Sequence, residues 1–151
     1  MPDVFISFST KDQSLADVVY RHLKAEGIDA FMSTTSLQPG QRWTDEIRNA
    51  LRNSKTVVLL ASRAACESAY VLQEVGGAFF AEGKSIIPII WDIEPESLPG
   101  WMAQYHALDL RKMPEASDLG DALSQIANRI KSEKLKGLAV VAGILYLLSK
   151  L

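Results

Sequence analysis

Tyr70 and Glu74 are the two residues in this sequence whose types and spacing best suit chemistry. They stand four residues apart on a predicted helix, so the aromatic ring and the carboxylate share one face, which Gly77 continues. Val71 and Val75 belong to the opposite, apolar stripe, which predicts that the pair faces outward toward the ends of the strands. The spacing alone also fits a solvated glutamate beside a half-buried tyrosine, and that alternative stays open at this point.

The sequence lacks the residues that a phosphate-binding P-loop and a phosphoacceptor site each need. A P-loop fails because Ala78 stands where its first glycine belongs before Gly83-Lys84-Ser85, and because a helix, not a strand, is predicted to precede this segment. A phosphoacceptor site needs acidic residues at the ends of strands one and three. Those ends carry Phe8-Ser9 and Ala61-Ser62, so the sequence argues against this class.

Metal, disulfide and nucleophile chemistry also lack support in the sequence. His22 and His106 are isolated, without Cys or His at metal-ligand spacing, so we expect no metal site and no bound cofactor. Cys66 is the only cysteine, so an internal disulfide cannot form. The cysteine content therefore gives no indication of an oxidising compartment. Nothing near Cys66 resembles the paired base of a thiol nucleophile.

The bulk properties describe an ordinary single domain. The chain has 151 residues, 48% hydrophobic and 23% charged, with a formal net charge of −2. No basic field indicates nucleic acid, and the lysines at 131, 134 and 136 are expected to solvate a helix end. The start, Met1-Pro2-Asp3, lacks the pattern of a secretion signal, so the expected localisation is cytoplasmic.

Strand and helix patterns alternate along the chain, which indicates βαβ units. The sequence predicts a flavodoxin-like, three-layer α/β sandwich, with a five-stranded parallel sheet in the order 2-1-3-4-5 and helices on both faces. Pro88 suggests a bulge or an edge position in strand four. The five predicted strands are residues 4–8, 28–32, 56–61, 85–91 and 105–110.

The first and last helices are each predicted from an apolar stripe. Asp12 is expected to cap the first helix, and Gly27 to end it. The inward stripe of the first helix is predicted to be Leu15, Val18, Val19 and Leu23. The stripe of the last helix is Leu119, Leu123, Ile126 and Ile130.

The predicted strand order also locates a site. Ligands of open α/β sheets bind outside the carboxyl ends of the strands, where the order reverses, which is here between strands one and three. Phe8, Ser9 and the helix that follows Ser68 converge at this point.

Three motifs, in the right order, resemble the TIR (Toll/interleukin-1 receptor) domain family. Phe5-Ile6-Ser7-Phe8 resembles its first-strand signature, and Leu37-Gln38-Pro39-Gly40-Gln41-Arg42-Trp43 resembles its mobile loop after strand two. Ser62, followed by Ser68, Tyr70 and Glu74, is similar to the Ser-x-Trp-x-x-x-Glu stretch of its enzymatic members. The resemblance covers about residues 3 to 131, so we expect a TIR domain over residues 1–134.

The resemblance implies that Glu74 occupies the catalytic glutamate position of TIR domains that cleave NAD as a substrate. Such enzymes release nicotinamide and give ADP-ribose or a cyclic ADP-ribose signal. In bacterial relatives they act in antiphage defence or signalling. The implied substrate-binding residues are Phe8, Ser9, Thr10, Lys11, Phe31 and Tyr70.

The resemblance also implies TIR–TIR contacts and leaves a second function open. Two departures from the pattern are Tyr70, where the family usually has tryptophan, and Ser33-Thr34, where an acidic residue often begins the mobile loop. Non-catalytic relatives act as adaptors or host-interfering scaffolds, and they commonly lack the glutamate. The residues implied for self-association are Leu37, Pro39, Gly40 and Trp43.

The C-terminal tail, residues 135–151, carries an almost wholly apolar run from Gly137 to Leu148. As a helix its twelve positions reach about 18 Å, short of the roughly 30 Å hydrocarbon core of a bilayer. A helix buried on the domain, a partner-binding helix and a shallow membrane anchor all remain open. Ala139 and Gly143 would allow close helix approach, so we favour a helix that supports self-association over membrane attachment.

Overall fold

The computed structural model describes residues 2–34, 44–67, 84–100, 102–113 and 115–150. Within these ranges the strands are β1 (Val4–Phe8), β2 (Ala30–Thr34), β3 (Thr56–Leu60), β4 (Ser85–Ile90) and β5 (Leu108–Asp109). The longer helices are α1 (Gln13–Ala25), α2 (Asp45–Asn53) and α3 (Ala116–Ser149).

The five strands form one parallel sheet in the order β2-β1-β3-β4-β5, which confirms the predicted fold class and order. β1 lies between β2 and β3, and its Phe5 is in register with Phe31 on one side and Val57 on the other. Strand order therefore reverses between β1 and β3, as the sequence predicts.

Apolar residues of β3 fill both sides of the sheet. Val58 and Leu60 belong to the cluster packed under α1 and α3, whereas Val57 and Leu59 belong to the cluster that includes Leu51 of α2. Successive side chains of a strand point to opposite faces, so an unbroken apolar run is what a doubly covered strand requires.

Helix α1 faces the core with a narrower stripe than predicted. Val19 and Leu23 are fully buried, but Val18 is 43% exposed, so its place in the inward stripe was wrong. The inward stripe is centred on Ala16, Val19 and Leu23, and at about 100° per residue Val18 points roughly 140° away from that centre. The helix ends as predicted at Gly27, whose φ of 83° suits glycine.

Strand β5 has two residues, fewer than predicted, and its shortness explains how Pro88 is tolerated. The register pairs β5 with Ile89 and Ile90 of β4, one step beyond Pro88. β4 is an inner strand of the sheet, but Pro88 pairs with Leu59 of β3 and precedes the first residue paired with β5, so among the described residues it has a strand partner on one side. After Asp109 the chain turns into a 3₁₀ helix, Leu110–Lys112.

Helix α3 runs unbroken across the expected domain boundary into the tail. Leu123 and Ile130 are buried against the domain, and Lys134 reaches Asp3 at 3.4 Å. The tail is helical as predicted, but the large apolar side chains that the structure describes there, at positions 135, 140, 141 and 144 to 148, are more than half exposed, so they are not packed on the described domain. Among the described residues, no helix combines the length and apolar character needed to cross a membrane.

Candidate functional site

The carboxyl ends of β1 and β3 bring two turns together at the point where strand order reverses. One is Ser9 with the 3₁₀ helix Thr10–Asp12, and the other is Ala61-Ser62 with a helical turn over residues 63–67. The sequence predicts a site here, and the structure places four of the predicted substrate-binding residues on the first turn or at the strand that leads into it. These are Phe8, Ser9, Thr10 and Lys11.

The four residues divide into a buried pair and an exposed pair. Phe8 is 5% exposed and packs in the cluster under α1, and Ser9 is 3% exposed. The Ser9 hydroxyl accepts a hydrogen bond from the Lys11 backbone N–H at 3.4 Å, while its carbonyl accepts one from Asp12 N–H at 2.8 Å. Because these bonds tighten the turn, Thr10 and Lys11 are held at the exposed rim of the sheet.

Ser62 joins the two turns through its side chain. Its hydroxyl donates to Asp12 Oδ2 and accepts from the Ala65 backbone N–H at 3.1 Å, so it caps the helical turn that begins at residue 63. A serine hydroxyl that accepts from a backbone N–H of the first helical turn is a favourable N-cap. The predicted cap by Asp12 is wrong, because Asp12 makes no side-chain cap bond to α1 and accepts from Ser62 instead.

Phe31 lies on the other face of the sheet from Phe8. Its ring stacks on Phe5 with centroids 5.7 Å apart and packs against the cluster that includes Leu51. Since Phe5 and Phe8 are three residues apart on one strand, they point to opposite faces. The structure therefore does not bring the rings of Phe31 and Phe8 together.

A second group of polar residues lies farther along the same rim, after β3 and β4. The Arg63 backbone N–H donates to Asp92 Oδ1 at 2.9 Å, and its guanidinium donates to the Asp92 carbonyl at 3.3 Å. A cavity of about 380 Å³ opens beside them, lined also by Cys66 and Glu67. Burial, with Asp92 adding to it, raises the pKa of the Cys66 thiol to about 11, so the thiol is protonated near neutral pH.

Arg111 forms the outer wall of that cavity and holds two carboxylates. Its guanidinium contacts Asp109 Oδ2 and Glu94 Oε1, each at 2.7 Å. Hydrogen bonding to Arg111 lowers the pKa of Asp109 to about 2 and also lowers the pKa of Glu94. Both carboxylates are consequently ionised near neutral pH and serve as structural anchors of the rim.

The remaining predicted site residues lie outside the described residues. They are Glu74 and Tyr70 of the candidate site and Leu37, Pro39, Gly40 and Trp43 of the loop implied for self-association. Their roles stay predictions. Of the described residues, no group of three or more His, Cys, Asp or Glu is arranged to hold a metal ion.

Sequence reasoning missed the cross-links of this rim. Asp12 was assigned only to a helix cap, and neither Asp92 nor Arg111 was singled out. Asp12 and Ser62 are 50 positions apart, so no local spacing reveals their bond. The available signal was topological, because both residues follow adjacent strands at the predicted switch point.

The strand order of the parallel sheet and the polar turns at the carboxyl ends of its strands together define an open, flavodoxin-like α/β domain. A flavodoxin-like domain from Synechococcus matches with a TM-score of 0.58 at 11% identity, covering 88% of this chain and 99% of that one. More specifically, a family model described as TIR domain matches residues 4–127. The chain belongs to the TIR domain family, which confirms the resemblance read from its motifs.

Solved TIR structures share the fold at low identity. The TIR domains of the activated Roq1 resistosome match with a TM-score of 0.62 at 19% identity, covering 86% of this chain and 99% of theirs. A metazoan TIR-STING receptor from C. gigas matches with a TM-score of 0.58 at 19% identity, covering 82% of this chain and 40% of the receptor.

One curated relative is closer in sequence. A Brachypodium distachyon protein named as a probable 2′ cyclic ADP-D-ribose synthase is 34% identical over 99 residues, which is 64% of this chain. The aligned part spans 43% of the length of that relative.

Proposed function

We propose that this chain cleaves NAD between nicotinamide and ribose, with Glu74 as the catalytic carboxylate. The observation that carries the proposal is the 34% identity to the Brachypodium distachyon protein named as a probable 2′ cyclic ADP-D-ribose synthase. The TIR family match supports it, because Glu74 falls inside the matched range of residues 4–127.

One carboxylate is enough for this reaction. The electrons of the breaking bond stay with the nicotinamide nitrogen, which leaves the group neutral and makes a general acid unnecessary. The ribose C1′ meanwhile develops oxocarbenium charge. A carboxylate held beside the ribose stabilises that charge more strongly in the transition state than in the ground state, which is the condition for catalysis.

The rim between β1 and β3 supports the proposal by what it exposes. Phe8 and Ser9 are nearly buried, so direct contact with NAD would fall mainly to the exposed Thr10 and Lys11. The Lys11 ammonium is suited to the pyrophosphate, because hydrogen bonds between two charged groups are stronger than neutral ones. The bond from Ser62 to Asp12 fixes the start of the segment that leads to Glu74.

Two products are compatible with this site. Water attack at C1′ gives ADP-ribose, whereas attack by a hydroxyl or ring nitrogen of the same molecule gives a cyclic ADP-ribose. Each route releases nicotinamide and one proton. Exclusion of water by a neighbouring copy would favour the cyclic product. The relative's name makes the cyclic product the one we expect.

The alternative function is a non-catalytic scaffold that acts through TIR–TIR contacts. The exposed apolar tail favours it as a second candidate, since assembly requires no NAD chemistry.

Incubation of the purified full chain with NAD separates the two functions. We expect nicotinamide to appear in step with NAD loss, and chromatography with mass detection then distinguishes the cyclic product from ADP-ribose by one water. Intact NAD after prolonged incubation with protein shown to be folded and assembled would overturn the enzymatic proposal and leave the scaffold.

A further inference from the structure

The apolar stripe of α3 continues after the domain beneath it ends. Within the domain this stripe includes the buried Leu123 and Ile130. At about 100° per residue, the same side of the helix carries Val141, Leu145 and Leu148 in the tail, which are 53%, 61% and 58% exposed. The apolar spacing that packs α3 onto the domain thus continues into the tail, where the described domain does not cover these side chains.

Ion pairs mark the place where the helix leaves the domain. Lys131 Nζ lies 3.6 Å from Glu26 Oε2, and one turn later Lys134 Nζ lies 3.4 Å from Asp3 Oδ1. From residue 139 to residue 150 every side of the helix is exposed. The tail therefore projects from the domain edge as a continuation of a helix that is anchored on it.

The exposed stripe is too wide for a single partner helix. Val140, Ile144 and Leu147 flank it, so large aliphatic side chains occupy about half of the tail's circumference. A two-stranded coiled coil buries only a narrow seam, whereas this width suits a helix with a neighbour on each flank. Lys136 and Lys150 lie outside this stripe together with Leu135 and Tyr146, and Lys150 Nζ lies 5.3 Å from the centroid of the Tyr146 ring.

The accessible surface of the chain supports burial of this size. The structure exposes 9134 Å², about 1,500 Å² more than the roughly 7,600 Å² expected for a compact monomer of this mass. A standard interface hides about 800 Å² on each partner. A helix that projects from a compact domain produces an excess of this kind, and its size leaves room for interfaces of standard area.

We propose that the tails of three or more copies of this chain form a parallel bundle, with the aliphatic stripe inside and Lys136 and Lys150 outside. A closed ring gives every helix two equivalent neighbours and keeps all copies parallel. A helix lying on a membrane surface would have a strongly charged outer face, but the side of the tail away from the stripe carries only two lysines, which lie beside Leu135, Tyr146 and small residues. The occupant that fits is another copy of the chain. The proposal deepens the proposed function by holding neighbouring TIR domains together.

Sedimentation of the full chain tests the proposal without reference to NAD. We expect wild type to have at least three times the 16.6 kDa chain mass, and the double variant Val141→Lys/Leu145→Lys to sediment as a folded monomer. Val18→Lys is the matched control, because Val18 is an exposed valine on α1, and this variant should assemble like wild type. A monomeric wild type, or assembly unchanged in the double variant, would overturn the bundle.

Cross-linking tests the orientation of the helices. In a parallel bundle, the copies of Ser149→Cys lie in one layer, so a short thiol cross-linker should join neighbouring chains in a Cys66→Ala background. An antiparallel pair separates these positions by about the tail's length and would give no product, which contradicts the proposal. Tail-dependent flotation of a monomer with anionic liposomes would likewise contradict it, in favour of a lipid surface.

Discussion

At the residue scale, the sharpest expectation concerns Glu74. Glu74→Gln keeps the shape of the side chain and removes its charge, so we expect NAD cleavage to fall by more than about a hundredfold, the scale for loss of one preorganised electrostatic group. Nicotinamide release measures the effect, and circular dichroism checks that the fold is kept. Glu46→Gln, at an exposed position in the first turn of α2, is the control and should retain activity. Turnover by Glu74→Gln equal to wild type would remove Glu74 from the mechanism.

Arg111 provides a prediction about pH and stability. The pKa of Asp109 is about 2 in the folded chain and 3.8 ordinarily, so between these values the unfolded state binds more protons. The stabilisation by Arg111 is therefore fully present above about pH 4 and is lost as the pH falls toward 2. Arg111→Gln should lower the melting temperature at pH 7 by an amount on the order of 5 °C, and by much less near pH 2. Equal differences in melting temperature at both pH values would contradict this account.

At the scale of elements, Ser62 couples the turn after β1 to the helical turn after β3. Ser62→Ala removes the cap on Ala65 N–H and the donor to Asp12 Oδ2 together, so we expect a loss of about 1–2 kcal/mol in the free energy of unfolding. Urea denaturation measures it. Ser14→Ala, at an exposed position of α1, is the control and should change stability by less than about 0.5 kcal/mol. A stability of Ser62→Ala within that limit would show that the cap contributes little.

Strands and helices could be predicted from the sequence where the pattern that indicates them lies within the element itself. The unbroken apolar run at residues 57–60 is typical of a covered strand, and the alternation of strand and helix patterns indicated the sheet order. The short β5 was not predictable from apolar content, because its end depends on the side chain of Asp109, which accepts from the Arg111 backbone N–H at 3.0 Å. The bond between Asp12 and Ser62 was not predictable either, since it exists only once two distant strands lie side by side.

At the scale of the whole molecule, assembly and activity should be linked. If neighbouring copies complete the active site, specific activity rises with protein concentration, so total activity increases more steeply than linearly over about a hundredfold dilution series. Nicotinamide release measured alongside light scattering tests this. Strictly linear activity from a monomer would indicate a self-contained site.

The unbroken course of α3 from Ala116 to Ser149 also fixes the rotational phase between the domain and the tail. An insertion of two residues after Lys136 would turn the tail by about 200° relative to the domain, whereas an insertion of seven would return it to within about 20°. Both insertions leave the aliphatic stripe intact, so bundles should form in each case. The domains would face their neighbours differently only in the two-residue case. Because one continuous helix joins the two parts, the rotation of the tail about the helix axis relative to the domain determines which surfaces of adjacent domains meet.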